Sequence, residues 1–371
     1  MSESVNQIKK QSLLVDDHLR RGARIGQVFG WEMAEHFGDP IEEHSRVRGS
    51  AGLFDLTSCG AIRISGKEGA QFLNGLVTND VKSLVKGAGI RAAYLTGHGK
   101  VRAFCRIYGL GDEYLIINEA QTHDKVYKYI FPFSYAGDFK VQDVSDSYRV
   151  ISVQGPRSLQ VMKEVCFEPV PLLESHAWVQ TLIAGHQVIV ARESYTGDLG
   201  FDVLVPAAGL EDVWDLVLLK GAFHSISPVG FLALDSLRIE AGLPVYGVDV
   251  DESNMMLETG LSEAVSYTKG CYTGQEAVAM ATYRGHVSKK LSGLVIADDV
   301  KPIGGDKILI EEKEIGHITS SLKSETLGSV IALGYVKYGF FDPGTLVEIE
   351  TASGRVQASV VELPFYTAPA G

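Results

Sequence analysis

What this chain lacks narrows it first. Its 371 residues hold only four cysteines, Cys59, Cys105, Cys166 and Cys271, widely spaced and without a CxxC pair. That spacing argues against a disulfide framework and against a self-contained structural zinc site. No apolar run approaches the roughly 18 residues of a membrane-spanning helix. Near the N-terminus "SLLV" is cut short by Asp16 and Asp17, too brief for a signal-peptide core, so a cytoplasmic location is expected. There is no HExxH or HxH, and His98, His286 and His317 stand isolated, so no metal site is expected. The spacings of a phosphate loop, of GxGxxG and of GxSxG are also missing, which removes support for an ATPase, a simple dehydrogenase or a serine hydrolase. A net charge of −12 disfavours broad binding to nucleic acid or an anionic membrane. An anionic small molecule could still bind where a few cations converge.

What is present is ordinary globular material, 45% hydrophobic and 22% charged, in a chain long enough for two or three domains. Residues 12–50 read as helices and loops leading into the compact turn "GSAGLFDLTSCG". "AIRIS" alternates as a strand, and Ser65 with Glu68 has the spacing of a capping box at a helix start. Residues 100–118 read as a β-hairpin around "GLGD", with Val101, Ala103, Cys105 and Ile107 on one face. Arg102, Phe104, Arg106 and Tyr108 share the other. Further strands are expected at 148–154, 187–192 and 201–205, and helices after Pro156, near 209–220 and near 228–241. Because hairpins interrupt the alternation, α+β fits better than a doubly wound parallel sheet. From about Gly285 onward short strands alternate with turns, the texture of a small all-β barrel or sandwich. The expected division is therefore 1–284 and 285–371.

Three stretches carry candidate chemistry. In "KGCYTGQE", residues 269–276, Thr273 and Glu276 have capping-box spacing, which would start a helix just after Thr273. Cys271 would then precede a helix N-terminus, whose partial positive charge favours a thiolate, and Lys269 would add to it. A half-buried cysteine at a helix start is the plainer alternative. In "YTGDLGFDVLVP", Asp198 stands in a glycine-bearing turn after Tyr195. A carboxylate there can accept two parallel hydrogen bonds from an amidine-like edge, or simply form the turn. In "DSLRIEAGLPVYGVDVDESN", Arg238 and Glu240 are two apart on one helix and face different sides. Asp249, Asp251 and Glu252 lack the spacing of a calcium loop, so a structured loop is expected.

Taken together, these stretches resemble the superfamily of glycine-cleavage T-proteins (aminomethyltransferases) and YgfZ-type folate-binding proteins. The likeness runs from "GARIGQVFGWEMAEHFGDPIEEHSRVRGSAGLFDLT" through "FLNGLVTNDV" to "LGYVKYGFFDPGTLVEI", nearly the whole chain. The octapeptide at 269–276, comprising Lys269, Cys271, Tyr272, Gly274, Gln275 and Glu276 among its members, resembles the YgfZ signature. The resemblance implies interlocked α+β subdomains around a central tetrahydrofolate channel, closed by a C-terminal β-barrel. It also implies that Asp198, Tyr195 and Asn118 bind folate and that Cys271 supplies a reactive thiol.

Two departures follow from the same comparison. The T-protein hairpin carries paired aspartates where this chain has Ala103 and Phe104, and T-proteins often have "ARDSLR" where this chain reads "ALDSLR", with Leu234 in place of the arginine. An expected acid/base partner and a cation for the glutamyl tail are thereby lost, which implies little turnover in glycine cleavage. The expectation is a tetrahydrofolate-binding, YgfZ-like protein that supports iron–sulfur cluster assembly or repair, with iron–sulfur clients as partners. The alternative is a tetrahydrofolate-dependent aminomethyl- or methyltransferase that uses a different catalytic group. A scaffold with a vestigial pocket is a third possibility.

Overall fold

The computed structural model describes residues 10–368; residues 1–9 and 369–371, the outer ends of the two expected domain spans and part of the N-terminal stretch read above, lie outside the described residues. Two large antiparallel-rich sheets, a small three-stranded sheet (Lys10–Gln11, Trp31–His36 and Arg24–Val28) and a closed barrel make up the described residues. The first sheet has six strands in the order Trp178–Ile183, His186–Arg192, Gly200–Pro206, Tyr148–Gln154, Gly52–Asp55 and Ser227–Val229. The second has five, in the order Gly89–Leu95, Val101–Gly109, Glu113–Asn118, Gly60–Ser65 and Lys140–Asp143. In sequence, the whole second sheet falls between the Gly52–Asp55 strand and the Tyr148–Gln154 strand of the first. The two halves are therefore interlocked rather than strung in series.

The sheets face one another. Ala61, Tyr108, Leu115 and Ile117 of the five-stranded sheet pack in one apolar cluster with Val150, Trp178, Ile189 and Leu204 of the other. Period-2 alternation makes this possible, because each strand offers one apolar row to this interface and another to its own helices. On the outer side of the six-stranded sheet, the helices Ser158–Val165 and Leu210–Gly221 cover Val153, Val203 and Val205, with Trp214 fully buried. Among the described residues, no helix is long and apolar enough to cross a membrane.

Three local expectations change. The segment 24–36 is a hairpin, Arg24–Val28 with Trp31–His36, rather than helix and loop. Its two-residue turn holds Phe29 at φ 50° and Gly30 at φ 81°, the left-handed pair such a turn needs. Phenylalanine rarely accepts that conformation, so the residue pair gives no turn signal in the sequence. "GLFD", read as part of a turn, is an interior strand of the six-stranded sheet. The Ser65–Glu68 capping box does not form. The helix Gly69–Leu76 begins after Glu68, whose carboxylate instead accepts the Asp138 backbone N–H at 2.7 Å.

Six strands from Lys289–Ile296 to Gly354–Val361 close into the barrel. The barrel is bound to the rest by buried polar contacts. Arg238, on the helix Phe231–Glu240, donates from Nη2 to Ser320 Oγ at 2.9 Å, and Asp249 accepts from Thr319 and Ser320 at 2.6 and 2.7 Å. Asp249 thus ties a loop to the barrel, as its non-calcium spacing suggested. Glu240, fully buried on the same helix, takes different partners: His44 at 3.0 Å, Arg48 at 2.6 Å, and the barrel residues Ser324 and Thr326. Burial works against its charge, but the hydrogen bonds from His44, Ser324 and Arg48 win and hold Glu240 down at about 2.

Candidate active site

A large cavity opens where the 24–36 hairpin, the five-stranded sheet and the helix Phe231–Glu240 converge, with about 1330 Å³ of atom-free space, part of it open to solvent. Much of the lining is apolar: Val28, Phe29, Met33, Phe54, Phe104, Phe231 and Leu234. The unusual turn at Phe29 puts that ring against Phe231, centroids 5.5 Å apart and edge to face. The rest includes polar groups: Arg91, Arg106, Glu119, Gln121, Tyr195 and Arg238. An apolar slot with a few convergent polar groups suits a flat heterocycle with a hydrogen-bonding edge.

Strand geometry decides which side chains reach the cavity. Phe104 and Arg106 share a face of the Val101–Gly109 strand and both line it, whereas Ala103 packs on the far side with Ile62, Leu73 and Ile107. Of the two positions where the resemblance led us to look for carboxylates, only Phe104 therefore faces the cavity. Leu234, where a cation was expected, faces it too.

Behind the polar lining lies a buried ionic cluster. Arg106 Nη1 donates to Asp202 Oδ2, and Tyr195 donates its hydroxyl to the same oxygen at 2.8 Å. The Arg106 guanidinium also lies 5.5 Å from the Tyr195 ring. Burial pushes the Asp202 carboxyl up to about 6, against the pull of Arg106. Glu193 accepts from Tyr108 at 2.9 Å and from His176 at 3.0 Å. Burial also pushes the Cys59 thiol, 3.9 Å from Arg106, up to about 11, and the Cys105 thiol higher still. Neither cavity cysteine ionises near neutral pH.

The residues singled out in the sequence do not all meet here. Tyr195 lines the cavity. Asp198 does not: its Oδ2 accepts from Arg48 at 2.6 Å and its Oδ1 from Tyr366 at 2.9 Å. It borders a second cavity, and Arg91 lines both. Asn118 is fully buried beside Glu119, and both its amide atoms lack a hydrogen-bond partner.

The octapeptide lies outside the cavity altogether. Cys271 is exposed. The following helix is Gln275–Arg284 with Gly274 as its cap, so the Thr273–Glu276 box is not made and Glu276 stays exposed. Gly274 holds φ at +83°, and a Cβ there would meet the Thr96 carbonyl oxygen at 2.6 Å. Lys269 does not serve Cys271. Its ammonium donates to the carbonyls of Asn74, Val77 and Asn79 at 2.6, 2.8 and 2.7 Å, closing the C-terminus of the helix Gly69–Leu76. Tyr272 is buried in the apolar cluster that includes Phe104. The stretch therefore braces the cavity wall from behind; Gln275 only bonds back through its N–H to the Tyr272 carbonyl at 3.1 Å.

Comparison with known proteins agrees with this architecture. Residues 14–269 match the model of the GCVT N-terminal domain, and residues 289–367 match that of the glycine cleavage T-protein C-terminal barrel domain. The chain belongs to the glycine-cleavage T-protein family. Its relatives include an aminomethyltransferase of Moorella thermoacetica, 33% identical over 97% of this chain and 98% of that protein. Another, from Desulforamulus reducens, is 32% identical over 96% of this chain and 98% of its own length. The fold matches the crystal structure of glycine cleavage system aminomethyltransferase T from Bartonella henselae. That likeness has a TM-score of 0.89 at 23% identity, over 97% of this chain and 99% of that one. These relatives are named aminomethyltransferase rather than YgfZ, which supports the transferase alternative better than the YgfZ-like expectation drawn from the octapeptide.

Sequence reasoning passed over Arg91, Glu119 and Gln121, and named Arg106 only as a strand residue. A signal was present for Arg106, an arginine between Phe104 and Tyr108 on one strand face. Glu119 lies just beyond the end of the strand Glu113–Asn118, and nothing local marks it as inward-facing.

Proposed function

We propose that this protein is a tetrahydrofolate-dependent one-carbon transferase of the aminomethyltransferase type, working with a proton-carrying group other than the hairpin carboxylates. The carrying observation is the cavity on the T-protein scaffold that combines apolar lining with Arg106, Tyr195, Glu119 and Gln121. Its fit to a reduced folate is supported by Glu119 Oε2, a buried oxygen with no partner in the protein. Such an atom costs free energy unless a ligand or water completes it.

Tyr195 and Glu119 would face the pteridine, while Asp198, held by Arg48 and Tyr366, and the fully buried Asn118 would act only by supporting the walls. When bound, the reduced folate supplies the nitrogen that accepts the one-carbon unit. The chain's own part is to hold the ring against Phe104 and Phe231, to exclude water through the apolar lining, and to keep the Arg106–Asp202 pair fixed beneath it. The test is formation of methylenetetrahydrofolate from an aminomethylated carrier protein, with tetrahydrofolate affinity measured by calorimetry. Absence of folate binding would overturn the reading.

A second reading, support of iron–sulfur enzymes in the YgfZ manner, rests on the octapeptide and the exposure of Cys271. A deletion strain complemented with the Cys271→Ala form, scored by iron–sulfur enzyme activities, separates the two. Only the second reading needs the thiol.

A further inference from the structure

Four other carboxylates line or underlie the cavity, and each is already engaged. Asp55 accepts from Ser12, from His18 at 2.8 Å and from the Thr57 N–H at 2.8 Å. Asp235 pairs with Arg238 at 2.8 Å. Asp202 holds Arg106 and Tyr195 through Oδ2, and Glu193 holds Tyr108 and His176; Asp202 Oδ1 has no partner, but neither residue lines the cavity. Glu119 does line it, and its buried Oε2 accepts nothing.

We infer that Glu119 is the proton-transfer group of this cavity, doing the work that the absent hairpin carboxylate would have done. The inference rests on the one-carbon-transfer reading above. Glu119 enters the cavity from just beyond the end of the Glu113–Asn118 strand, next in the sheet to the strand that carries Phe104, so a proton acceptor is restored from the neighbouring strand. Its surroundings suit the task. Burial pushes it up to about 7, and Arg106, Arg91 and, more weakly, Arg238 restrain that rise. The other titratable groups lining the cavity are Cys59 and Cys105, both neutral at this pH, together with Asp55, Asp235 and Tyr195; Asp202 lies behind, paired with Arg106. A carboxyl that titrates near the working pH can both accept and return a proton. As carboxylate, Oε2 takes the proton that the attacking folate nitrogen loses as its bond to the one-carbon unit forms. It then gives that proton to the amine or thiolate whose bond to the same carbon breaks, and ends as it began, with no net change of charge or electrons on the residue.

The test pairs a binding readout with a rate readout. Calorimetric titration with tetrahydrofolate at pH 7, in phosphate and in Tris, reads the proton exchanged on binding through the different ionisation heats of the two buffers. The wild-type protein should exchange a fraction of a proton, because the ligand displaces water from Oε2. Glu119→Gln should bind within about fivefold and exchange none. With aminomethylated carrier protein as donor, Glu119→Gln should lose about 10²-fold or more in kcat. The rise of rate with pH near 7 should vanish in it and persist in Glu119→Asp. A Glu119→Gln protein with kcat within fivefold of wild type, or with unchanged proton exchange, overturns the role, as does a wild type that binds without exchange. A wild type that binds no tetrahydrofolate overturns the folate reading itself, and this role falls with it.

Discussion

Replacing Lys269 with methionine tests whether the octapeptide is a brace or a thiol-activating site. The ammonium sits in a cage of three carbonyls at 2.6–2.8 Å, one for each of its protons. Charge-assisted hydrogen bonds contribute about 1.5–3 kcal/mol each, so three amount to roughly 5–9 kcal/mol if they add. Burial opposes them: it lowers Lys269 from the ordinary 10.5 to about 8. That drop corresponds to at most about 3 kcal/mol of cost to the charged form, less where water screens the half-buried ammonium. The difference is about 2–6 kcal/mol. Water can reach the half-buried carbonyls once the ammonium is gone, so the lower part of that range applies. We expect Lys269→Met to lose about 2–4 kcal/mol of stability, read from the urea midpoint at an unchanged slope. Its Cys271 should react with iodoacetamide at a rate within twofold of wild type. A loss below about 0.5 kcal/mol, together with a tenfold slower thiol, would refute the brace and restore Lys269 to Cys271.

Other outcomes follow from the same geometry. Gly274→Ala should cost about 1–3 kcal/mol in thermal or urea unfolding, since both the left-handed φ and the Thr96 carbonyl oppose a Cβ; an unchanged midpoint would refute the close approach. Glu240, held at about 2 against an ordinary 4.5, contributes stability that is fully present above pH 4.5 and lost as pH falls toward 2. The loss should be about 3 kcal/mol, and Glu240→Gln should flatten that part of the stability–pH curve. Glu119 has the opposite sign, because its raised value makes the folded state less stable as pH rises from 4.5 through 7. Glu119→Gln should therefore gain about 1–3 kcal/mol over wild type at pH 8 and nothing at pH 4, checked by urea unfolding at both. Cys271 is exposed while Cys105 and Cys166 are buried, so mass spectrometry should find it alkylated ahead of them. Since it does not line the cavity, tetrahydrofolate should leave that rate unchanged.

The sequence alone determined those elements whose pattern is strong within a short window. Barrel strands with one buried and one more exposed face alternate, as in Lys313–Ser324 and Leu346–Thr351, while Ser329–Lys337 is buried on both faces. The Val101–Gly109 and Glu113–Asn118 hairpin and the helices Leu210–Gly221 and Phe231–Glu240 were legible for similar reasons. Motif likeness supplied the superfamily. Tertiary structure decided the rest, because it concerns what a side chain meets hundreds of residues away. Both capping boxes had the right spacing, yet one carboxylate was drawn to Asp138 and the other helix starts on a glycine pressed against Thr96. Lys269 looked like a partner for its neighbour Cys271 until the end of a helix nearly 200 residues earlier claimed its three protons. Asp198 looked free until Arg48 and Tyr366, from opposite ends of the chain, closed on it. Glu119 carries no local mark at all. Only the folding of two interlocked sheets takes its carboxyl out of water and leaves one oxygen without a partner, and that desolvation is a property of the assembled cavity.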